Sequence, residues 1–275
     1  MNNQHYLLDE FGLISVRGED AGKLLQGQLT TSPDNTDQFT LQLSALCNPQ
    51  GRCLALFWVT RNTEDFWLIL PKDNIENTIG TLKRYAVFYK VTIDDISQQK
   101  QLIGLSGKPA EEDPQYRKVR GFEKQFSIKI IEQGQPLEGP LKSTNEWLFL
   151  LADRKIPWMT FSASGQFLPH NLDLPALEAV DFKKGCYTGQ EVIARMQYKG
   201  NLKSHLVKLS ADKPFIADPG TKLDAEASRA GELICHVSNS QGKTLALALI
   251  KDNLKNANFF HLQQENTPIL TLSEH

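Results

Sequence analysis

Phe182-Lys183-Lys184-Gly185-Cys186-Tyr187-Thr188-Gly189-Gln190-Glu191-Val192-Ile193-Ala194-Arg195 gathers the chemistry of the chain into one stretch. Gly185 and Gly189 let the backbone turn sharply on either side of the sulfur. Thr188 and Glu191 have the spacing of a capping box, in which the hydroxyl accepts from the third helical N–H and the carboxylate reaches back. A helix is therefore predicted to begin here. Cys186 would lie just outside its N-terminus, facing unpaired N–H groups and the positive end of the dipole. With Lys183 and Lys184 nearby, that setting favours a thiolate over a thiol. The competing reading is a buried small hydrophobe, the commoner role of a cysteine, and the residues alone leave the two evenly balanced.

Around this stretch the 275-residue chain has the composition of an ordinary globular protein, with 40% hydrophobic and 23% charged residues and a net charge of −2. Near-neutrality gives no global attraction to nucleic acid or membrane. No apolar run approaches the roughly 20 residues of a membrane span, and the N-terminus lacks the pattern of a signal peptide. Cys47, Cys53, Cys186 and Cys235 are scattered without a C-x-x-C pair. That suits a reducing, cytoplasmic setting better than a disulfide framework, and no protein-held metal is expected.

Upstream, Leu13 to Arg17 reads as a strand and Ala21 to Gly27 as a helix with Leu24 and Leu25 inward. Leu41 to Leu46 and Cys53 to Val59 read as strands joined by the turn Asn48-Pro49-Gln50-Gly51. Asp65 to Leu70 is another strand, and Pro71 opens a helix with Ile75, Ile79 and Leu82 at helical spacing. Lys83-Arg84-Tyr85 and Lys90 then set basic groups beside aromatics. Leu102 to Gly107 runs as a strand into a glycine turn, but Gly104, Gly107 and Lys108 lack the spacing of a phosphate loop. Glu111 to Pro114 reads as a polar surface segment and Ile128 to Ile131 as a strand, while Glu146 to Asp153 is open between helix and strand. His170, without an evident partner, reads as a loop residue. Beyond Gly200, short strands with Gly and Pro punctuation indicate a small antiparallel barrel.

The motif Lys184-Gly185-Cys186-Tyr187-Thr188-Gly189-Gln190-Glu191, followed by Ala194-Arg195, resembles the signature of the YgfZ family of folate-binding proteins. These are relatives of the glycine-cleavage T-protein (aminomethyltransferase), linked to iron–sulfur cluster assembly or repair and to tRNA modification. Gly18-x-Asp20-Ala21 with Leu25 to Thr30, and the Arg84-Tyr85 to Val91 block, resemble the same family. The resemblance implies an α+β fold: a folate-binding body of two similar lobes over residues 1–198, either consecutive or interleaved and meeting near 95–110. A C-terminal β-barrel over residues 199–275 would complete a central pocket. It implies tetrahydrofolate or a derivative as cofactor, with Phe11, Trp147 and Tyr85 as binding residues. Cys186 would be the reactive thiolate and Lys184 would lower its pKa. Gly185, Tyr187, Gly189, Gln190 and Glu191 would shape the loop, and Arg195 would pair with Glu191 at i,i+4 or meet a ligand carboxylate.

The implied function is folate-linked support of iron–sulfur assembly or repair, with iron–sulfur client proteins as partners and tRNA modification affected through them. One alternative is an aminomethyl transferase. The T-protein hairpin carries an acidic residue, whereas the strand after Gly51 reads Arg52-Cys53-Leu54-Ala55-Leu56-Phe57 with no carboxylate for acid–base work. A second alternative is direct tRNA binding. Lys183, Lys184, Arg195, Lys199, Lys203 and Lys208 stand against the single acid Glu191 and, if gathered in one groove, would attract an anion.

Overall fold

The computed structural model describes residues 3–63, 65–107, 115–137, 139–226 and 228–273. In chain order the first part comprises β1 (Gln4–Leu7), β2 (Phe11–Arg17), α1 (Ala21–Gln28), β3 (Thr40–Cys47), β4 (Cys53–Asn62), β5 (Asp65–Pro71), α2 (Ile75–Tyr85) and β6 (Thr92–Asp95). The next part comprises β7 (Lys100–Ser106), β8 (Tyr116–Val119), β9 (Phe126–Glu132), β10 (Leu141–Lys142) and α3 (Thr144–Asp153). Lys108 and the segment Glu111 to Pro114 lie outside the described residues.

These ten strands form one sheet in the order β10-β1-β7-β9-β8-β3-β4-β5-β2-β6. It is two lobes joined edge to edge by a short parallel pairing, Thr40 opposite Lys118 and Leu41 opposite Val119. The lobes are interleaved. β1 opens the chain yet lies in the second lobe, antiparallel to β7 and parallel to β10.

The strands of the first lobe are apolar on both faces because both are covered. Ile14, Val16, Phe57, Val59, Phe66 and Leu68 pack against Leu24 and Leu25 of α1 and Leu82 of α2. The alternate residues Leu13, Leu43, Trp58, Trp67 and Ile69 face the other way into a larger core. Each such side chain removed from water stabilises the fold by about 1.5–3 kcal/mol before entropy is counted. Lys83 and Arg84 close α2, where basic groups suit the negative end of the dipole.

The segment from Glu146 to Asp153 is helical. Trp147, Leu148, Leu151 and Ala152 are all buried, a spacing that one face of a helix gathers and a strand would divide between two faces. Gly104 on β7 admits the indole of Trp147. A Cβ there would stand 2.7 Å from Cε3 of that ring.

After α3 the chain runs through short 3-10 turns at Phe161–Ala163 and Pro169–Leu172 to α4 (Gln190–Lys199). β11 (Ser204–Ala211), β12 (Lys222–Ala225), β13 (Ser228–Ser238), β14 (Thr244–Lys251), β15 (His261–Leu262) and β16 (Thr271–Leu272) follow. They make a sheet in the order β15-β12-β13-β14-β11-β16. Its two edges are stitched by a bridge between Phe260 and Leu270, so the sheet curls into a small barrel. One side fills its own core around Leu223, Ala248 and Phe260. The other, with Leu206, Ile234 and Leu247, joins the core of the body. No helix among the described residues is long and apolar enough to cross a membrane.

Candidate functional site

The loop ahead of α4 is fastened at every side except that of its thiol. Asp181 accepts from the backbone N–H of Lys183 at 2.8 Å and of Lys184 at 3.1 Å, and gives its own N–H to Thr30 O. Thr188 N–H bonds to Gly27 O at 3.0 Å, and its hydroxyl to Gln28 Oε1 at 3.2 Å. Gly189, at φ +84°, lies backbone to backbone on the hairpin turn, where a Cβ would come within 2.6 Å of Asn48 O and 3.0 Å of Gly51 Cα. Cys186 is exposed, whereas Cys47, Cys53 and Cys235 are buried. Burial pushes the Cys235 thiol up to about 12.

The capping box expected of Thr188 and Glu191 does not form. Gly189 is the N-cap, and no side chain caps the helix. The Thr188 hydroxyl is turned to Gln28 instead, because the loop must dock on the end of α1.

Lys184 is likewise placed otherwise than expected. Its ammonium is buried and donates to Leu29 O at 2.7 Å and Thr31 O at 2.9 Å, above the Tyr187 ring at 5.0 Å. Burial lowers its pKa to about 8, opposed by Asp181 and Asp34. It ties the loop to the exit of α1, while the Cys186 side chain faces solvent.

The basic run does not form one surface. Lys184 is turned inward, and Lys208 is buried with its ammonium 2.8 Å from Asp153 Oδ1. Lys183, Arg195, Lys199 and Lys203 remain exposed. Glu191 and Arg195 form no ion pair among the described residues and instead flank a shallow depression of about 320 Å³ with Val192 and Met196.

Two larger clefts are present, one beside this loop and one elsewhere on the body. One, of about 530 Å³, is lined by Thr31, Gln42, Arg120, Glu178, Asp181 and Lys183. The other, of about 430 Å³, has Phe11, Leu148 and Trp158 as apolar walls and Asp9, Glu10 and Asp73 at its rim. Asp9 accepts from the Thr144 hydroxyl and Asp73 from Phe161 N–H, leaving Glu10 as the carboxylate without a partner among the described residues.

The three aromatics expected to share a ligand are not brought together. Phe11 lines the second cleft and lies 5.9 Å from the Trp58 ring. Trp147 is fully buried between Tyr6 and Phe126, because the stripe of α3 that carries it faces the core. Leu148 takes the wall position in its place. Tyr85 is exposed at the end of α2, on the opposite side of the first-lobe sheet from Phe11.

Trp158, which the sequence did not single out, supplies the second aromatic wall; the signal for it was an aromatic immediately after Pro157. His170 is not a free loop residue either. It is buried, with Nε2 3.2 Å from Gln197 Oε1 of α4, and burial lowers its pKa.

The family described as the GCVT N-terminal domain matches residues 7–113. The tRNA-modifying protein YgfZ of Colwellia psychrerythraea is 29% identical, covering 90% of this chain and 85% of that protein. The same-named protein of Escherichia coli O127:H6 is 28% identical, covering 94% and 88%. An uncharacterized protein of Haemophilus influenzae is 31% identical, covering 82% and 79%. Among solved structures, the glycine cleavage system aminomethyltransferase T from Bartonella henselae superposes with a TM-score of 0.66 over 99% of this chain and 85% of that one, at 15% identity. That similarity shows the fold. The chain belongs to the YgfZ family, built on the fold of the glycine-cleavage T-protein.

Proposed function

We propose that this protein is a YgfZ-type factor in tRNA modification that binds a reduced folate and presents Cys186 as its reactive group, in support of iron–sulfur cluster assembly or repair. The observation that carries this proposal is the setting of Cys186. It is the exposed cysteine of the chain, on a loop whose neighbours on both sides are anchored to the body. A loop fixed by Lys184, Thr188 and Gly189 holds a thiol in one place at little entropic cost, as a reactive group requires.

The cleft walled by Phe11 and Trp158 fits a pterin. Flat apolar walls suit its rings, and the carboxylate of Glu10 suits donors such as the pterin amino group. Lys72, which lines the same cleft, supports this reading as a cation for the carboxylates of the glutamate tail. When bound, a reduced folate would supply one-carbon or redox chemistry. The chain itself supplies walls, rim charges and the thiol. Aminomethyl transfer is disfavoured, since the whole hairpin from Thr40 to Asn62 contains neither Asp nor Glu.

The test is complementation of a strain lacking the protein with Cys186→Ser, scored by the level of the affected tRNA modification. Loss of the modification is expected, with tetrahydrofolate affinity of the purified variant unchanged within a few-fold. Full complementation rules out the thiol role.

A further inference from the structure

We propose that Cys47 and Cys53 are a redox modification site, a dithiol that a hydroperoxide converts to a disulfide at the base of the turn seating the Cys186 loop. The two residues stand opposite each other at the end of the β3–β4 hairpin, in antiparallel register just after an irregularity in the pairing. Cys53 gives its N–H to Phe167 O at 2.8 Å instead of to the facing strand. Pairs that lack the mutual backbone bonds are the close ones, with Cα atoms about 4.5 Å apart. Disulfides span Cα separations of about 4.4–6.8 Å.

Both thiols are buried, and the Cys53 thiol is held protonated first by that burial and then by the neighbouring Cys47. Burial does not seal the site. Pro49, Gln50 and Arg52 between the two cysteines are exposed, so a local opening of the hairpin end, at the edge of the core, carries the sulfurs to solvent.

The location gives the bridge a consequence. Gly51 lies in the turn between the cysteines, and a Cβ on it would meet Val192 of α4 at 3.0 Å and Gly189 O at 3.4 Å. Cys53 also accepts from Gly165 N–H at 2.7 Å. Bridging β3 to β4 at this point therefore stiffens the turn on which Gly189 rests, and with it the seat of the loop that carries Cys186.

The chemistry balances with a hydroperoxide as the two-electron oxidant. One cysteine, as thiolate, attacks the O–O bond, giving a sulfenic acid and releasing an alcohol. The second sulfur attacks the first, forming the S–S bond and releasing water. Two thiols and one hydroperoxide thus yield one disulfide, one alcohol and one water.

The full-length protein is treated with tert-butyl hydroperoxide, unfolded in N-ethylmaleimide and mapped by mass spectrometry. A peptide linking Cys47 to Cys53 is expected, lost on treatment with dithiothreitol and equally abundant in Cys186→Ser. In the native protein, the rate at which Cys186 reacts with dithionitrobenzoate is expected to change severalfold on oxidation, and to stay constant in Cys47→Ala. Cys47 and Cys53 both recovered in alkylated form, or a bridge that leaves Cys186 reactivity unchanged, overturns the proposal. The peptide map of the wild-type protein needs no variant to fold, and its outcome is independent of complementation by Cys186→Ser.

Discussion

The ammonium of Lys184 donates to the carbonyl oxygen of Leu29 at 2.7 Å, so the basic side chain of the signature motif fastens the loop to α1. Thr31 O, at 2.9 Å, accepts from it as well. The motif thus divides its labour: one residue inward for attachment, and Cys186 outward for chemistry.

Replacing Lys184 with Met is expected to destabilise the protein by about 1–3 kcal/mol at pH 7, because two buried carbonyls lose their donor. The pH dependence follows from the pKa of about 8. An unfolded lysine holds its proton to about 10.4. Between these values the unfolded state binds the extra proton, and wild-type stability rises with pH. Below about 8 both states are protonated and this group contributes no slope. Urea unfolding from pH 7 to 10 should show the gap between wild type and Lys184→Met widening above pH 8; a constant gap contradicts the burial of this amine.

Gly189→Ala is expected to cost about 1–3 kcal/mol through its left-handed backbone alone, with the clash against Asn48 O in addition. Thermal melting measures the loss. The reaction rate of Cys186 with a thiol reagent should change in the same variant, since the loop loses its seat. An unaltered rate would mean that the turn does not position the thiol.

Trp147 and Gly104 separate packing from binding. Trp147→Phe should lose little stability, about 1.5 kcal/mol or less, because the indole N–H has no partner among the described residues. Trp147→Ala should lose about 3–5 kcal/mol. Gly104→Ala should also destabilise, its methyl entering the indole face. Chemical denaturation ranks the three variants.

For the cleft, Phe11→Ala is expected to weaken tetrahydrofolate binding about 2- to 10-fold, the worth of one aromatic contact. Tyr85→Ala, on the far side of the sheet, should leave it unchanged. Calorimetric titration distinguishes them, and equal losses would mean that the ligand sits elsewhere.

Much of the secondary structure was legible because apolar spacing reports it directly. Strand Phe11–Arg17, helix Ala21–Gln28 and the hairpin around Asn48 to Gly51 lie within a few residues of their expected places. β1 was not legible. Its sequence Gln4-His5-Tyr6-Leu7 has a weak strand pattern, and its place in the second lobe depends on partners about a hundred residues away. The fate of Lys184 was equally hidden. A lysine beside a cysteine reads as an electrostatic neighbour, and only the arrival of Leu29 and Thr31 carbonyls turns it inward.

By itself the sequence determined the family, the alternation of strands and helices, and the loop that carries Cys186, all set by local spacing and composition. Tertiary structure alone decided which groups share a space. It set Cys47 against Cys53, buried Trp147 while Trp158 lines a cleft, and split the basic run between core and surface. The physical reason is that burial and pairing depend on what the rest of the chain brings to each residue, a quantity that no local pattern contains.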